Sequence, residues 1–549
     1  MTNNSIDSSI SPTSATSQVG TASADAAAKT GRSALLLTGA KFWFLVSGFV
    51  IQWALQKVLR DASGADEGKR LYGLYSTATG FAAILNAFVY QGTTQAVATF
   101  TGRNPGNAAS VKAAAFRLQA ILGGGLFALW WLAAPWLATT LYENPNLTGP
   151  LRLGSLILLG YAFYAVVMGS LTGRSLFTRQ AIVDVSYSTL KVLAIPGAAY
   201  LFGKSLSQSA GSSVGYAEAA VGGFAAAGWS ALALGLFITP RAPVATEKTP
   251  VARLFIFQSL TMVLSGLVTW VTQADLQLLN WLGTVDSASM ERLSGEYRAA
   301  QLFATIPYQA VFAITFILFP LVSGLKDAEA LRRTIQGTSK YALLIAAPIV
   351  GGFAGAPART IGLLFGEEYS APAAAPMRIL VLGYMVFSVF FVLLTIITAS
   401  GKPSRSVALV AWLALVQGVS SWILIPRYGV VGAALGSVIG MTAGWIALEF
   451  ALRRLAHAGT SFSQALRTMI AGCGAALVTH VLLDGSLFGR NGVIASVGAP
   501  GSLVAKLATL AAFAVAGAVY IALLISTGAF DADDRARFKR IIGRGKPRV

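Results

Sequence analysis

Long apolar segments follow one another along the chain almost without interruption from residue 35 to residue 526. Each segment is apolar on all faces and is long enough to cross a bilayer as a helix, which takes about 20 residues. This pattern differs from the short segments of alternating polarity that form membrane β-barrels. We therefore predict an all-α polytopic membrane protein with about 14 transmembrane helices. The predicted helices are residues 34–55, 73–98, 116–139, 151–172, 180–203, 216–239, 254–282, 297–323, 340–365, 377–399, 405–425, 430–452, 464–484 and 502–527.

Turn and helix-breaking residues separate these predicted helices. Clear examples are the stretches RNPG, ENPN, PRAP, GKP and RYG. No connection between helices is long enough to fold as a separate soluble domain, which argues against catalysis outside the membrane. The five turns begin at residues 103, 143, 240, 401 and 427.

A weak internal repeat divides the helices into two lobes of the same orientation. Predicted helix 2 begins with Tyr-Gly-Leu-Tyr at residues 72–75, and predicted helix 8 begins with Tyr-Arg-Ala-Ala at residues 297–300. Residues 1–30 are rich in Ser, Thr, Ala and Asn, which predicts a disordered cytoplasmic tail without a signal peptide. The predicted units are this tail, an N-lobe at 31–240, a C-lobe at 241–455, two added helices at 456–528 and a basic cytoplasmic tail at 529–549.

Composition and charge agree with a membrane location. The chain is 55% hydrophobic and 11% charged, whereas soluble domains carry roughly 25% charged residues. With the N-terminus in the cytoplasm, 26 of the 41 Lys and Arg residues fall on the cytoplasmic side and 13 on the outer side. This bias predicts an inner-membrane protein with both termini cytoplasmic and an even number of helices. It also explains the net charge of +19 without a nucleic-acid partner.

The sequence lacks the residue patterns that are typical of disulfide bonding, zinc binding and ATP binding. The single cysteine, Cys473, can form no internal disulfide, and the two histidines, His457 and His480, provide no cluster for zinc. No Gly-rich loop is followed by Lys-Ser or Lys-Thr, so we expect no ATP-driven step. We expect neither a metal nor a cofactor.

Ionisable residues within the predicted helices are few, and such residues usually face a cavity or one another because burying charge in lipid is costly. They are Lys41, Asp184, Lys191 and Asp275, with Arg298 at the start of predicted helix 8. Asp184 and Lys191 lie seven residues apart, which places them on one helix face about 10 Å apart along the axis. This face would line water, or each side chain would bind a neighbouring helix and only stabilise the bundle.

Neutral polar residues lie within predicted helices 2, 7 and 8. Taken together, the charged and neutral polar residues are concentrated on predicted helices 1, 2, 5, 7 and 8. These helices would line a cavity between two lobes. The neutral polar residues are Asn86, Gln91, Gln95, Gln273, Gln277, Asn280, Gln301 and Gln309.

Three stretches carry a family resemblance. They are YGLY through QGTTQ at residues 72–95, residues 174–184, and GKP followed by IPRYGVVGAA within residues 401–434. The chain resembles the Wzx-type polysaccharide transporters, which are oligosaccharide flippases of the multidrug/oligosaccharidyl-lipid/polysaccharide exporter superfamily. The resemblance covers about residues 32–530 and rests on turn and packing motifs rather than on chemistry.

The resemblance implies a V-shaped fold of two six-helix lobes plus two extra helices, which alternates between inward-open and outward-open states. It implies that an undecaprenyl-diphosphate-linked oligosaccharide moves from the cytoplasmic to the periplasmic leaflet, for lipopolysaccharide, capsule or exopolysaccharide biosynthesis. Membrane lipids and the polysaccharide polymerase are the other candidate partners.

The resemblance also suggests roles for the interior polar residues. Cations in a low-dielectric cavity would attract the diphosphate, and carboxylates could carry the proton or ion that drives return of the empty carrier. The candidate substrate-binding residues are Lys41, Lys191, Arg298, Gln91 and Gln309. The candidate coupling residues are Asp184 and Asp275.

Alternative functions remain open. A lipid II flippase has the same fourteen-helix plan, and a cation-coupled drug exporter belongs to the same superfamily but would favour acidic residues in its cavity. A membrane polymerase or O-antigen ligase would carry a large periplasmic loop with Arg and His, and here no outer loop is long and His480 is alone. A purely structural assembly partner would have no use for buried charge. We therefore expect a transporter rather than an enzyme.

Overall fold

The computed structural model describes residues 39–40, 42–241, 248–323, 327–400, 402–485, 492–494, 497, 502–530 and 534. Within these residues the regular structure is entirely helical. The candidate residue Lys41, the N-terminal tail at 1–30 and most of the basic tail at 529–549 lie outside the described residues.

Six long helices form the first half of the chain. Short 3₁₀ turns at Pro105–Asn107 and Pro145–Leu147 begin at the prolines of the predicted turn sequences RNPG and ENPN. The first helix extends to residue 63, eight residues beyond its predicted end, which carries it to the start of the second. The helices are α1 (Phe42–Ser63), α2 (Ala65–Arg103), α3 (Ala108–Trp136), α4 (Thr148–Gly173), α5 (Phe177–Ala210) and α6 (Gly215–Ile238).

Nine helices form the second half of the described chain. They are α7 (Val251–Leu282), α8 (Ser287–Ala304), α9 (Ile306–Ser323), α10 (Ala328–Gly355), α11 (Pro357–Gly362), α12 (Glu367–Ala399), α13 (Pro403–Ala456), α14 (Phe462–Leu483) and α15 (Leu503–Ser526).

Two predicted helices of the second half differ from the structure. The predicted helix 297–323 is divided between α8 and α9 by a turn at Thr305. The predicted helix 340–365 is wrong at its end, because Ala356 leaves the helical conformation (φ −141°, ψ 67°) and Pro357 then starts α11. Proline fixes its own φ and disfavours helical geometry in the residue before it, which accounts for the break.

The prediction of two helices at 405–425 and 430–452 is confirmed inside α13. Gly429 adopts φ 53° and ψ −125°, a conformation that breaks the helix and suits glycine. The two halves then pack side by side in opposite directions, with Gly436 against Ser421 and Gly440 against Gln417. Glycines at such contacts let two membrane helices approach closely.

Ten helices of the described chain are long and apolar enough to cross a membrane, with α13 counted once. Counting the two halves of α13 separately, and adding α2, α10 and the α8–α9 pair, gives the 14 predicted crossings. The protein is therefore an all-helical, multi-pass membrane protein.

Two large hydrophobic cores hold the helices together. One lies between Val271 and Ala458, in the second half of the chain. The other combines residues of α1 to α6 with residues of α8, α11 and α12. In this second core the ring of Tyr72 lies 5.8 Å from that of Phe365 and 6.3 Å from that of Tyr369. The two halves of the chain thus share a core where α1 ends and α2 begins.

Candidate functional site

Lys191, on α5, lies in a cage of aromatic side chains. Its ammonium nitrogen is 4.3 Å from the ring centre of Phe44, 4.6 Å from that of Tyr187 and 5.8 Å from that of Phe224. The side chain is buried, as is Asp184 on the same helix. The faces of aromatic rings carry negative charge and stabilise a cation that burial has separated from water. The structure therefore gives Lys191 an interior position with a stabilised charge.

Four tyrosines surround Asp184. The hydroxyls of Tyr161 and Tyr187 are hydrogen-bonded to each other, and Tyr164 donates a long hydrogen bond of 3.5 Å to Asp184 Oδ1. The ring of Tyr90, on α2, stacks on that of Tyr164 at 6.0 Å. We call Asp184, Lys191 and these four tyrosines the tyrosine cluster. It is built from α2, α4 and α5, and its hydroxyls can exchange protons or bind a cation together with the carboxylate.

These tyrosines are functional candidates that were not predicted from the sequence. A signal was available on α5, where Asp184, Tyr187 and Lys191 are spaced three and four residues apart and so share one helix face. The other members come from helices up to a hundred residues away, and nothing in the sequence links them to Asp184.

Asp275, on α7, accepts hydrogen bonds from three donors. Tyr297 donates to Oδ2 at 2.7 Å, Gln301 Nε2 donates to Oδ1 at 2.9 Å, and the backbone N–H of Leu276 donates to Oδ1 at 3.0 Å. A buried carboxylate with this many donors has its charge compensated by hydrogen bonds. Asp275 thus connects α7 to α8 through hydrogen bonds from Tyr297 and Gln301. None of these residues belongs to the tyrosine cluster.

Arg298 is connected to Asp275 through one amide. Its guanidinium donates to Gln301 Oε1 and, at 3.2 Å, to Gln273 Oε1. Gln301 therefore bridges the arginine and the aspartate. Arg298 lies three residues after Gly295, at which α8 packs directly against the backbone of Lys69 on α2. We call Asp275, Tyr297, Arg298 and Gln301 the α7–α8 cluster.

Gln91 and Gln309 take other positions. Gln91 is exposed, and Gln309 donates a hydrogen bond to Thr305 one turn earlier in its own segment. In the part of the chain that the structure describes, no hydrogen bond joins either glutamine to the two clusters. Their assignment as substrate-binding residues stays a prediction.

No metal-binding group is found among the described residues, where no three His, Cys, Asp or Glu side chains lie together in the arrangement that a metal ion needs.

The sequence of this chain is similar to that of a known protein family and to one curated relative. A family model described as "Polysaccharide biosynthesis protein" matches residues 69–374, more than half of the chain. An uncharacterised membrane protein of Methanocaldococcus jannaschii is 29% identical over 147 residues, which is 26% of this chain and 29% of the relative. The match thus spans less than a third of that relative's length.

Solved structures share the fold at low sequence identity. The lipid II flippase MurJ, in an inward closed conformation, is 13% identical with a TM-score of 0.60, over 89% of this chain and 100% of MurJ. An inward-facing multidrug resistance MATE family transporter of the MOP superfamily is 16% identical with a TM-score of 0.52, over 76% of this chain and 94% of that one.

A third solved structure is a MOP superfamily transporter from Pyrococcus furiosus, described as having a binding pocket of reversed polarity. It is 14% identical with a TM-score of 0.54, over 77% of this chain and 94% of that one. These likenesses confirm the predicted exporter-type helical fold. Together with the family match, they confirm the resemblance drawn from the sequence: the chain belongs to the polysaccharide biosynthesis protein family.

Proposed function

We propose that the protein moves an undecaprenyl-diphosphate-linked oligosaccharide across the bacterial inner membrane by alternating access. The observation that carries this proposal is a pair of cations, the buried Lys191 and the half-buried Arg298. They lie on either side of the predicted lobe boundary in a chain of a polysaccharide biosynthesis family. A diphosphate carries negative charge that two such cations attract strongly away from bulk water. A carrier of organic cations would need the opposite balance.

The carboxylates of the two clusters are proposed to carry the coupling proton or ion. In the α7–α8 cluster, uptake of a proton by Asp275 would weaken the hydrogen bond that it accepts from the Gln301 amide, because the carboxyl group would lose its negative charge. Because the same amide accepts from Arg298, the guanidinium would then change its hydrogen bonding as well. The protonation of Asp275 and the availability of Arg298 to an anion would thereby be coupled. Asp184, beside the tyrosine hydroxyls, has the same proposed role in the first half.

The proposal includes the predicted arrangement in the membrane. The two lobes are residues 31–240 and 241–455, followed by the added helices at 456–528, and both termini face the cytoplasm. In this orientation the turn between α1 and α2 lies on the periplasmic side. The polysaccharide polymerase would receive the translocated product and is the candidate protein partner.

A leaflet assay tests the proposal. In a strain that lacks the gene, we expect undecaprenyl-linked oligosaccharide to accumulate on the cytoplasmic leaflet, and the wild-type gene to clear it. Accumulation of unglycosylated or lipid II-type carrier instead would favour the lipid II flippase. If the glycolipid reaches the periplasmic leaflet normally but is not polymerised, the flippase proposal fails and a polymerase or ligase replaces it.

A further inference from the structure

A network of charged and amide side chains joins the two halves of the chain near the start of α2. Lys69 forms an ion pair of 3.2 Å with Glu296, and Arg70 forms one with Glu291. Asn144 and Asn146 donate hydrogen bonds of 2.8 and 3.0 Å to the same oxygen of Glu291. We call these six residues the bridging network. Arg60 and Glu368 form a further, more exposed ion pair of 3.2 Å between α1 and α12.

The helix backbones touch at the centre of this network. A Cβ atom placed on Gly73 of α2 would lie 1.8 Å from the carbonyl oxygen of Glu291 on α8. One placed on Gly295 of α8 would lie 2.3 Å from the carbonyl oxygen of Lys69. A side chain at either position would collide with the facing backbone, so the two glycines allow α2 and α8 to pack backbone against backbone here.

The charges of the network are largely removed from water. Glu291 is 1% exposed, and Lys69 and Glu296 are each 7% exposed. Buried ion pairs contribute little net stability, because the cost of desolvation offsets the attraction between the charges. When such a contact separates, each charge regains its hydration, so the open and closed states can be similar in free energy. An apolar contact of the same size would instead expose hydrocarbon to water.

The turn ENPN at residues 143–146 binds the carboxylate of Glu291 on α8. Its two asparagines do more than form a turn, since both hold the carboxylate of Glu291. Ser287, at the start of α8, also donates to the backbone oxygen of Glu143 at 2.8 Å. One carboxylate on α8 is thus bound by the start of α2 and by the connection between α3 and α4.

We propose that the bridging network is a lock that closes this end of the molecule, with Glu291 at its centre, and that the lock must open and re-form in each transport cycle. The three ion pairs that the structure describes between the two halves all lie at this end. This inference rests on the proposed transport function. In the proposed orientation the lock faces the periplasm.

The first test measures opening without any substrate. In a Cys473→Ala background, a cysteine replaces Ala300, which is fully buried on α8, and its reaction with a charged maleimide is followed in nanodiscs. We expect Glu291→Gln to raise the labelling rate about ten-fold, since one charge of a buried pair is removed. Asp61→Asn, the same change from carboxylate to amide at an exposed position near the end of α1, is the matched control and should leave the rate unchanged. An unchanged rate in Glu291→Gln would overturn the proposal.

Exchanging the charges of the pair Lys69 and Glu296 distinguishes opening of the lock from misfolding of a variant. Lys69→Glu and Glu296→Lys should each raise the labelling rate, and the double variant should return it close to the wild-type rate because the pair is rebuilt in reverse. A double variant that labels as fast as either single variant would contradict a direct role of this pair.

The second test asks whether the lock must open. Cysteines at positions 69 and 296 are joined by a reducible bifunctional thiol reagent, and we expect transport to stop and to recover on reduction. Joining cysteines at positions 67 and 213 is the control, because Glu67 and Ser213 also contact each other but belong to one half. Continued transport with positions 69 and 296 joined would overturn the lock. If labelling behaves as expected and even the wild-type protein does not move the glycolipid, the lock stands and the proposed substrate fails.

Discussion

At the scale of residues, aromatic rings stabilise the buried ammonium group of Lys191. Its neighbours Phe44, Tyr187 and Phe224 come from α1, α5 and α6, and all three lie within 6 Å of the ammonium group. The spacing of Asp184 and Lys191 along α5 was sufficient to predict a shared face. The aromatic cage could not be predicted, because two of its three rings come from other helices.

Substitution of Lys191 separates a structural role from a binding role. Lys191→Met keeps a side chain of similar length, and methionine packs well against aromatic rings. Because the desolvation cost of the cation is removed, we expect the free energy of unfolding to stay constant or to rise by about 1 kcal/mol. We expect transport in the leaflet assay to be lost, since the charge that attracts the diphosphate is gone.

The control for this prediction is Lys204→Met, an exposed lysine near the end of the same helix. It should change neither thermal unfolding in detergent nor transport. Full transport by Lys191→Met would remove Lys191 from the proposed binding residues, and a large loss of stability would assign it to the fold.

At the scale of elements, α13 is a hairpin of two membrane helices held by glycines. Gly432, Gly436, Gly440 and Gly444 recur every four residues and face the preceding half of α13. Turn residues were enough to predict both halves and the break at Gly429. Elsewhere the same reasoning was less accurate. The turn at Thr305 was not predicted, and neither was the early end of α10 at Gly355, although Pro357 is a local signal for that end.

Substitution of two glycines in this hairpin should have opposite effects. A Cβ atom at Gly436 would lie 2.3 Å from Ser421 Oγ and 2.9 Å from its backbone, whereas a Cβ atom at Gly418 meets no atom within 4 Å. We expect Gly436→Ala to destabilise the protein by about 1–3 kcal/mol through overpacking. Gly418→Ala should be neutral or stabilise it by up to about 1 kcal/mol, because alanine favours the helix. Thermal unfolding in detergent measures both, and equal effects would contradict the close packing of the hairpin.

At the scale of the whole molecule, the distribution of Lys and Arg predicts the orientation in the membrane, with both termini in the cytoplasm. The sole natural cysteine can be removed, which permits labelling at chosen sites. Position 212, between α5 and α6, and position 106, between α2 and α3, are both exposed. In spheroplasts we expect an impermeant maleimide to label Ser212→Cys and not Gly106→Cys. The reverse pattern would place both termini on the outer side.

The bridging network also belongs to the scale of the whole molecule. Its members are far apart in the chain, since residues near 70, 145 and 291 meet at one point. The sequence predicts only a turn at ENPN and gives no role to Glu291 or Glu296. A lone charged residue at the end of a membrane helix gives no indication of its partner, which is why this contact was not predicted.

The sequence by itself determined the helical membrane class, the number and approximate limits of the helices, and the family. These properties depend on the length of apolar segments, on turn residues and on short motifs, all of which are local in the chain. Tertiary structure alone decided which polar side chains meet: Asp184 with tyrosines of α4 and α5, Asp275 with Arg298 through Gln301, and Glu291 with Arg70 and two asparagines. Such contacts depend on how helices that are distant in sequence pack against one another. Composition and residue spacing describe each helix by itself and do not indicate which helices become neighbours.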